Sequence, residues 1–306
     1  MREIRIGTRG SKLALIQAEW FLTKLKETFP ELKAILVKIT TRGDRHSTDS
    51  LDKFAGEGIF VKELEKALLD GKIDLAVHSL KDLPTEIPEG LRLAAATARL
   101  DPRDVLISKA GKLAELAPGS KIGTGSRRRA VQLRAIRLDL RICDIRGNID
   151  TRLRKVSDGE VDGIIVAAAA MIRLGWADRI TEYLSTEHFM PAVGQGALGI
   201  EIRSGDTEIT ALVSVINDEP TWQCISAERA FLQALGGGCR APIAALGTVS
   251  GGVLKLSGMV ASADGHHIQR ASEESNILTP EQTGRRLAQK MADMGALRYI
   301  TKSRSK

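Results

Sequence analysis

The sequence predicts an α/β fold of two related lobes followed by a small α+β C-terminal domain. Three observations carry this. Three short signatures occur twice in the same order; each copy reads as strand, helix, strand, helix, strand; and the character of the chain changes after Pro220.

Taking the elements in order, Ile6-Gly7-Thr8-Arg9-Gly10-Ser11, followed by Ala14 and Gln17, is echoed by Ile122-Gly123-Thr124-Gly125-Ser126, followed by Ala130 and Gln132. Each is a short apolar run, a glycine-bearing turn and then helical periodicity. Thr41-Arg42-Gly43-Asp44 is echoed by Ile145-Arg146-Gly147-Asn148, each closing an expected strand, Ala34 to Thr40 and Arg141 to Ile145. Asp70-Gly71-Lys72-Ile73-Asp74 leads into Leu75-Ala76-Val77, as Asp158-Gly159-Glu160-Val161-Asp162 leads into Ile164-Ile165-Val166. One such pair is within chance. Three in register point to two lobes of common architecture, whose strand-to-helix loops gather at the strand ends and face one cleft.

The first copy is longer, with a glycine-bearing loop from Leu51 to Gly58, placed to serve as a lid or binding loop, and an amphipathic helix from Ile59 to Leu69. Asp101-Pro102-Arg103-Asp104 reads as one crossover between lobes, and the run Met190-Pro191-Ala192-Val193-Gly194-Gln195-Gly196 as a second; two crossovers make a hinge. The expected division is domain 1 over 1–98 plus about 197–216, domain 2 over 103–192 and domain 3 over 219–306. Domain 3 holds a helix from about Trp222 to Leu235, the loop Gly236-Gly237-Gly238-Cys239-Arg240-Ala241-Pro242, and β runs around Gly251-Gly252 and Asp264-Gly265. A last helix opens at Thr279-Pro280-Glu281-Gln282, which has capping-box spacing, and ends near Met294.

Composition narrows the function classes. With 306 residues, 43% hydrophobic and 27% charged, the chain can build several cores without staples. Its cysteines, Cys143, Cys224 and Cys239, lack CxxC spacing, which fits a reducing compartment and speaks against a zinc or dithiol site. No metal is expected. No run approaches the roughly 18 apolar residues of a spanning helix, and the N-terminus enters a strand pattern directly, so the expectation is a cytoplasmic protein without a membrane partner. A net charge of +7 calls for an anionic partner. Nucleic acid is disfavoured, because only 4% of residues are aromatic and no recognition motif is present. A small molecule bearing several carboxylates accounts for the arginines equally well.

Basic and hydroxyl residues cluster on the strand-to-helix loops: Arg9 and Ser11; Thr124, Ser126, Arg127, Arg128 and Arg129; Arg146 and Arg152, with Arg173 further on. Helix N-termini with hydroxyls and guanidinium forks make carboxylate or phosphate receptors, although such arginines also commonly start a solvated helix. In His78-Ser79-Leu80-Lys81-Asp82-Leu83-Pro84, Asp82 reads either as a local cap before a turn proline or as a carboxylate that stabilises a transient cation or moves a proton. Three glycines leave Cys239 exposed beside Arg240, which favours thiolate; it reads as a nucleophile, a redox thiol or an attachment point. Cys143, in a strand, and Cys224, in a helix, read as small hydrophobes.

Together, IGTRGSKLAL, TRGDR, GIFVKELEKALLDGKIDLAVHSLKDLP, DPRDVLIS, IGTGSRRRAVQL, IRGNIDTRL, MPAVGQGALGIE and GGGCRAPI resemble the porphobilinogen deaminases in sequence and order, over nearly the whole chain. The resemblance implies two lobes like those of type II periplasmic binding proteins, a third domain, and a monomer. It implies an enzyme that condenses four porphobilinogens head to tail into hydroxymethylbilane, releasing ammonia each time, on a dipyrromethane cofactor joined to Cys239 by a thioether. It places Asp82 at the pyrrole N–H groups as the catalytic carboxylate, with Lys81 beside it. It places Thr124, Ser126, Arg128, Arg129, Arg146 and Arg152 on the cofactor, and Arg9, Ser11, Lys53, Arg146, Arg152, Arg173 and Gln195 on the substrate. Three positions depart from the family pattern: Glu57 stands where a second lysine is common, Gly125 where serine is, and Arg127 where leucine is usual. A hinged capture protein for an organic anion is the competing class, and it needs neither Cys239 nor Asp82.

Overall fold

The computed structural model describes residues 3–41, 61–236 and 242–301. The chain divides into two compact units, Met1–Leu100 with Ala197–Trp222, and Asp101–Gly196 with Gln223–Lys306. Among the described residues no helix is long and apolar enough to cross a membrane.

The first unit is built on β1 (Ile4–Arg9), β2 (Ala34–Ile39), β3 (Leu75–Ser79), β4 (Leu91–Ala96) and β10 (Leu198–Arg203), in the order β2-β1-β3-β10-β4. The first three are parallel; β10 runs antiparallel to both its neighbours. Helix α1 (Lys12–Thr28) buries Ala14, Gln17, Ala18, Phe21 and Leu25, one stripe at helical spacing, which packs with Ile4, Ile6, Leu75 and Ile200. Helix α2 (Lys62–Leu69) buries Leu64, Ala67 and Leu68 in a second cluster with Ile73 and Leu91. Its expected first residues, Ile59 and Phe60, lie outside the described residues.

The second unit repeats the plan. Strands β5 (Asp104–Ser108), β6 (Lys121–Gly123), β7 (Arg141–Cys143), β8 (Gly163–Ala167) and β9 (Glu182–Tyr183) are ordered β7-β6-β8-β5-β9. Again three strands are parallel, and the fourth, β5, is antiparallel to β8. Helices α3 (Arg127–Ile136), α4 (Ile149–Ser157) and α5 (Ala168–Arg173) connect them.

The repeat extends to single hydrogen bonds. Ser11 caps α1 by accepting from Ala14 N, and Ser126 caps α3 by accepting from Arg129 N. Asp74 Oδ2 accepts from Arg5 N at 2.8 Å and Asp162 Oδ2 from Lys121 N at 2.7 Å, while Asp74 N and Asp162 N donate back to Arg5 O and Lys121 O. In both copies the start of the first strand is thus clamped by the aspartate that ends the turn before the third. Gly71 and Gly159 take that turn at φ 66° and 75°, the left-handed region where a side chain is strained.

The second unit also holds an antiparallel sheet, β11 (Ile243–Ser250), β12 (Val253–Ala261) and β13 (Ile268–Asn276), covered by α7 (Glu219–Ala234), α8 (Pro280–Asp293) and a short α9 (Leu297–Thr301). Phe231, Leu254, Leu256, Leu287 and Met291 form its core. Three local expectations need correcting. The strand expected to reach Ile145 ends at Cys143, since the next residues turn toward the Asn148 cap of α4, which accepts from Thr151 N. Helix α7 starts three residues before Trp222. Thr279 does not cap α8: at φ −128° and ψ 51° its hydroxyl turns back to the Asn276 carbonyl, and the start is set by Pro280 instead.

Candidate active site

In the first unit, β3 runs out at Ser79 and the chain tightens into a single 3₁₀ turn, Leu80–Asp82. Leu80 is buried and its amide donates to Ala197 O, so the turn is anchored to the strand beside it. This directs Asp82 into a pocket it shares with Arg9, Ser11, Gln17, His78 and Ser79. Arg9 ends β1 and Ser11 caps α1, so a carboxylate faces a guanidinium and the positive end of a 17-residue helix across one depression. The sequence reading named Arg9, Ser11 and Asp82; the structure brings them together. Lys81 stands half-buried on the same turn.

Gln17 and Ser79 were not singled out as site residues. Gln17 is buried and its side-chain amide lies 3.0–3.1 Å from Ser79 Oγ, tying α1 to the end of β3. Behind the pocket, His78 Nε2 lies 2.9 Å from Glu201 Oε2, both side chains buried. Glu65 of α2 is buried nearby, and its pKa is raised from 4.5 to about 7, first by burial and then by the Glu201 charge, with His78 and Lys62 opposing. The visible signal was Gln17 itself, a polar residue on the apolar stripe of α1.

In the second unit the expected anion-binding residues divide. Thr124 is buried and its Oγ1 accepts from Ser126 N, so the loop before α3 is held by its own hydroxyl. Arg128 and Arg129 are buried and turn inward to Asp104, the first residue of β5. Burial lowers the Arg128 pKa, and Asp104 partly restores it against the neighbouring Arg129. Gln195 joins the same carboxylate, donating to Asp104 Oδ1 at 2.9 Å and to Pro102 O at 2.7 Å. Arg146 reaches Asp144, Arg152 donates to Gly147 O, and Arg173 donates to Gly196 O, with burial pulling the Arg173 pKa down to about 10. Arg127 is exposed. Gly125 has a packing reason: a Cβ there would sit 3.0 Å from Ile145 O and 3.3 Å from Asp144 Oδ1, so its hydrogen lets two loops close on each other. Cys224 is buried in α7 and Cys143 half-buried at the end of β7. Cys239, Lys53 and Glu57 lie outside the described residues.

The second unit thus gathers a buried guanidinium pair on one carboxylate, with more arginines on the adjoining loops. The family model described as porphobilinogen deaminase, dipyromethane cofactor binding domain, matches residues 4–211. The chain belongs to the porphobilinogen deaminase family. A second model, the C-terminal domain of the same family, matches residues 222–293. Curated relatives include the porphobilinogen deaminases of Bacillus subtilis, 49% identical over 97% of this chain and 95% of that one, and of Alkaliphilus metalliredigens, 48% identical over 97% and 94%. Among solved structures, the chain is similar to an arginine-specific periplasmic binding protein of Salmonella typhimurium, with TM-score 0.42 and 14% identity over 72% of this chain and 94% of that one. It is also similar to the aliphatic sulphonate binding protein of Escherichia coli, with TM-score 0.40 and 14% identity over 76% and 70%. Membership of the family makes the chain an enzyme, a transferase of tetrapyrrole biosynthesis that works with a dipyrromethane cofactor.

Proposed function

We propose that the chain is a hydroxymethylbilane synthase whose Asp82 is the catalytic carboxylate and whose Cys239 carries the cofactor. It condenses four porphobilinogens in turn, with loss of ammonia at each addition, and releases the linear tetrapyrrole by hydrolysis. The observation that supports this best is the pocket at the end of β3, where Asp82 is set against Arg9 and Ser11. A pyrrole bearing acetate and propionate side chains and an aminomethyl group needs cations for its acids and an anion for the positive charge that develops as the amine leaves. In a partly desolvated pocket Asp82 stabilises that charge and accepts the pyrrole N–H, while Arg9 and the α1 terminus hold a carboxylate. Lys81, next to Asp82, is assigned to the same turn.

The cofactor, when bound, supplies a free pyrrole carbon to which the first unit is joined. The donor set on the second unit fits its acids: Arg128 and Arg129 present two guanidiniums against one internal carboxylate, and Thr124, Ser126, Arg146 and Arg152 extend the receptor along the adjoining loops. Arg173, Gln195 and Lys53 are assigned to substrate. The three-domain division, monomeric state, cytoplasmic location and absence of a nucleic-acid partner belong to the same reading.

Two measurements test it. The intact chain should carry the mass of two linked pyrroles, lost in Cys239→Ser; an unmodified chain with full activity in that variant overturns the attachment. Asp82→Ala should keep its melting temperature and lose at least about 100-fold in turnover, the usual worth of a positioned acid–base group. Near-normal turnover removes Asp82 from the reaction.

A further inference from the structure

Asp104 is fully buried, and no part of the reading above gives it a task. Arg129 donates to its Oδ1 from Nε at 3.0 Å and from Nη2 at 2.6 Å, Gln195 Nε2 donates to the same oxygen at 2.9 Å, and Arg128 Nη2 lies 2.8 Å from Oδ2. The other ends of these side chains are fixed as well, Arg128 Nη1 on Met190 O at 2.6 Å and Arg129 Nη1 on Ile165 O at 3.2 Å. Both guanidiniums are more than nine-tenths buried. Three hydrogen bonds and an ion pair on one carboxylate leave little freedom to either arginine, so their positions at the start of α3 are set by Asp104 as well as by the helix.

Among the described residues the charges do not balance. Two buried cations face one buried anion, and the charges acting on Arg128 are Asp104 in its favour and Arg129 against it. A buried charge without a counter-charge is costly, and a further carboxylate recovers that cost. We propose that Asp104 is a positioning residue for cofactor capture: it aligns Arg128 and Arg129 and leaves the pair one negative charge short, and an acidic side chain of the dipyrromethane makes up the deficit. This rests on the reading that Arg128 and Arg129 hold the cofactor.

The consequence is a stability coupling that a plain scaffold residue does not have. With asparagine at 104, two buried guanidiniums have no internal carboxylate, and the cofactor's acids matter more. The test compares, by calorimetry, Asp104→Asn in the fraction of the full chain that intact mass shows to carry the cofactor with the same substitution in the Cys239→Ser chain. The expected result is a melting loss larger in the Cys239→Ser background by roughly 5 °C or more. Asp104→Glu, which keeps the charge and moves it by one methylene, is expected to fold and to show by intact mass a loaded fraction at least about twofold below wild type under the same expression, a small fraction of what losing a buried charged hydrogen bond costs. Equal melting losses in both backgrounds, or, where the asparagine variant does not fold, full loading of Asp104→Glu, overturn the proposal. Full loading of both Arg128→Gln and Arg129→Gln overturns the underlying reading along with it.

Discussion

Glu65→Gln isolates one buried carboxyl behind the pocket that holds Asp82. Glu65 ionises near 4.5 in an unfolded chain and at about 7 in the folded one, because burial and the Glu201 carboxylate both disfavour its charge. Below about pH 4.5 it is protonated in both states and costs nothing. Between 4.5 and 7 the folded state holds a proton that the unfolded state has released, so stability falls as pH rises through this window, and above 7 the full penalty is present. A shift of about 2.5 units corresponds to about 3 kcal/mol. Glutamine has the same shape and no charge, so it removes the penalty. Subtracting the stability of wild type from that of the variant across pH 4.5 to 8.5 cancels the titrating groups that do not interact with Glu65 and leaves Glu65 with its coupled neighbours Glu201, His78 and Lys62. The variant should gain about 3 kcal/mol relative to wild type over that range, almost all of it by pH 7.5. A difference that stays flat with pH refutes the assignment of a raised pKa to Glu65.

Two further substitutions read the repeat and the packing. Asp74→Ala removes a fully buried carboxylate that accepts from Arg5 N and holds the Arg5 and Arg203 guanidiniums, so urea denaturation should show a loss of about 3–5 kcal/mol; its exposed counterpart Asp162→Ala should lose only about 1 kcal/mol. Similar losses at the two sites contradict the burial argument. Gly7→Ala sets a Cβ 2.3 Å from Ile73 Cδ1 and 3.2 Å from Leu64 Cδ2 inside a closed cluster, so about 1–3 kcal/mol of stability should go, read as a lower denaturant midpoint with an unchanged slope.

Much of the fold was legible because its signals are local. Ser11 and Ser126 announce their helices, Gly71 and Gly159 their turns, and the stripe of α1 its buried face, all through interactions within a few residues. The fourth, antiparallel strand of each sheet was not, since β5 and β10 pair with strands distant in sequence and nothing in their own pattern gives a direction. The site divides the same way. Asp82 stands in a motif of its own, whereas the inward turn of Arg128 and Arg129 depends on Asp104, 24 and 25 positions earlier, and helical periodicity does not distinguish a guanidinium paired inside from one in water. Thr279 misled because capping-box spacing is a statement about four residues, and a hydroxyl can choose the preceding turn instead.

The fourth strands set a timetable for biosynthesis. Within the first sheet β4 has one neighbour, β10, and β10 is also what separates β4 from β3. A nascent chain that has emerged as far as residue 184 therefore contains every strand of the β5 to β9 sheet, while the earlier-made sheet still lacks the strand that joins β3 to β4 and leaves both of them with an unpaired edge. The ribosome thus makes every strand of the second sheet before the first sheet is complete, and the turn that bears Asp82, anchored to Ala197 O just ahead of β10, gains that anchor only as β10 emerges.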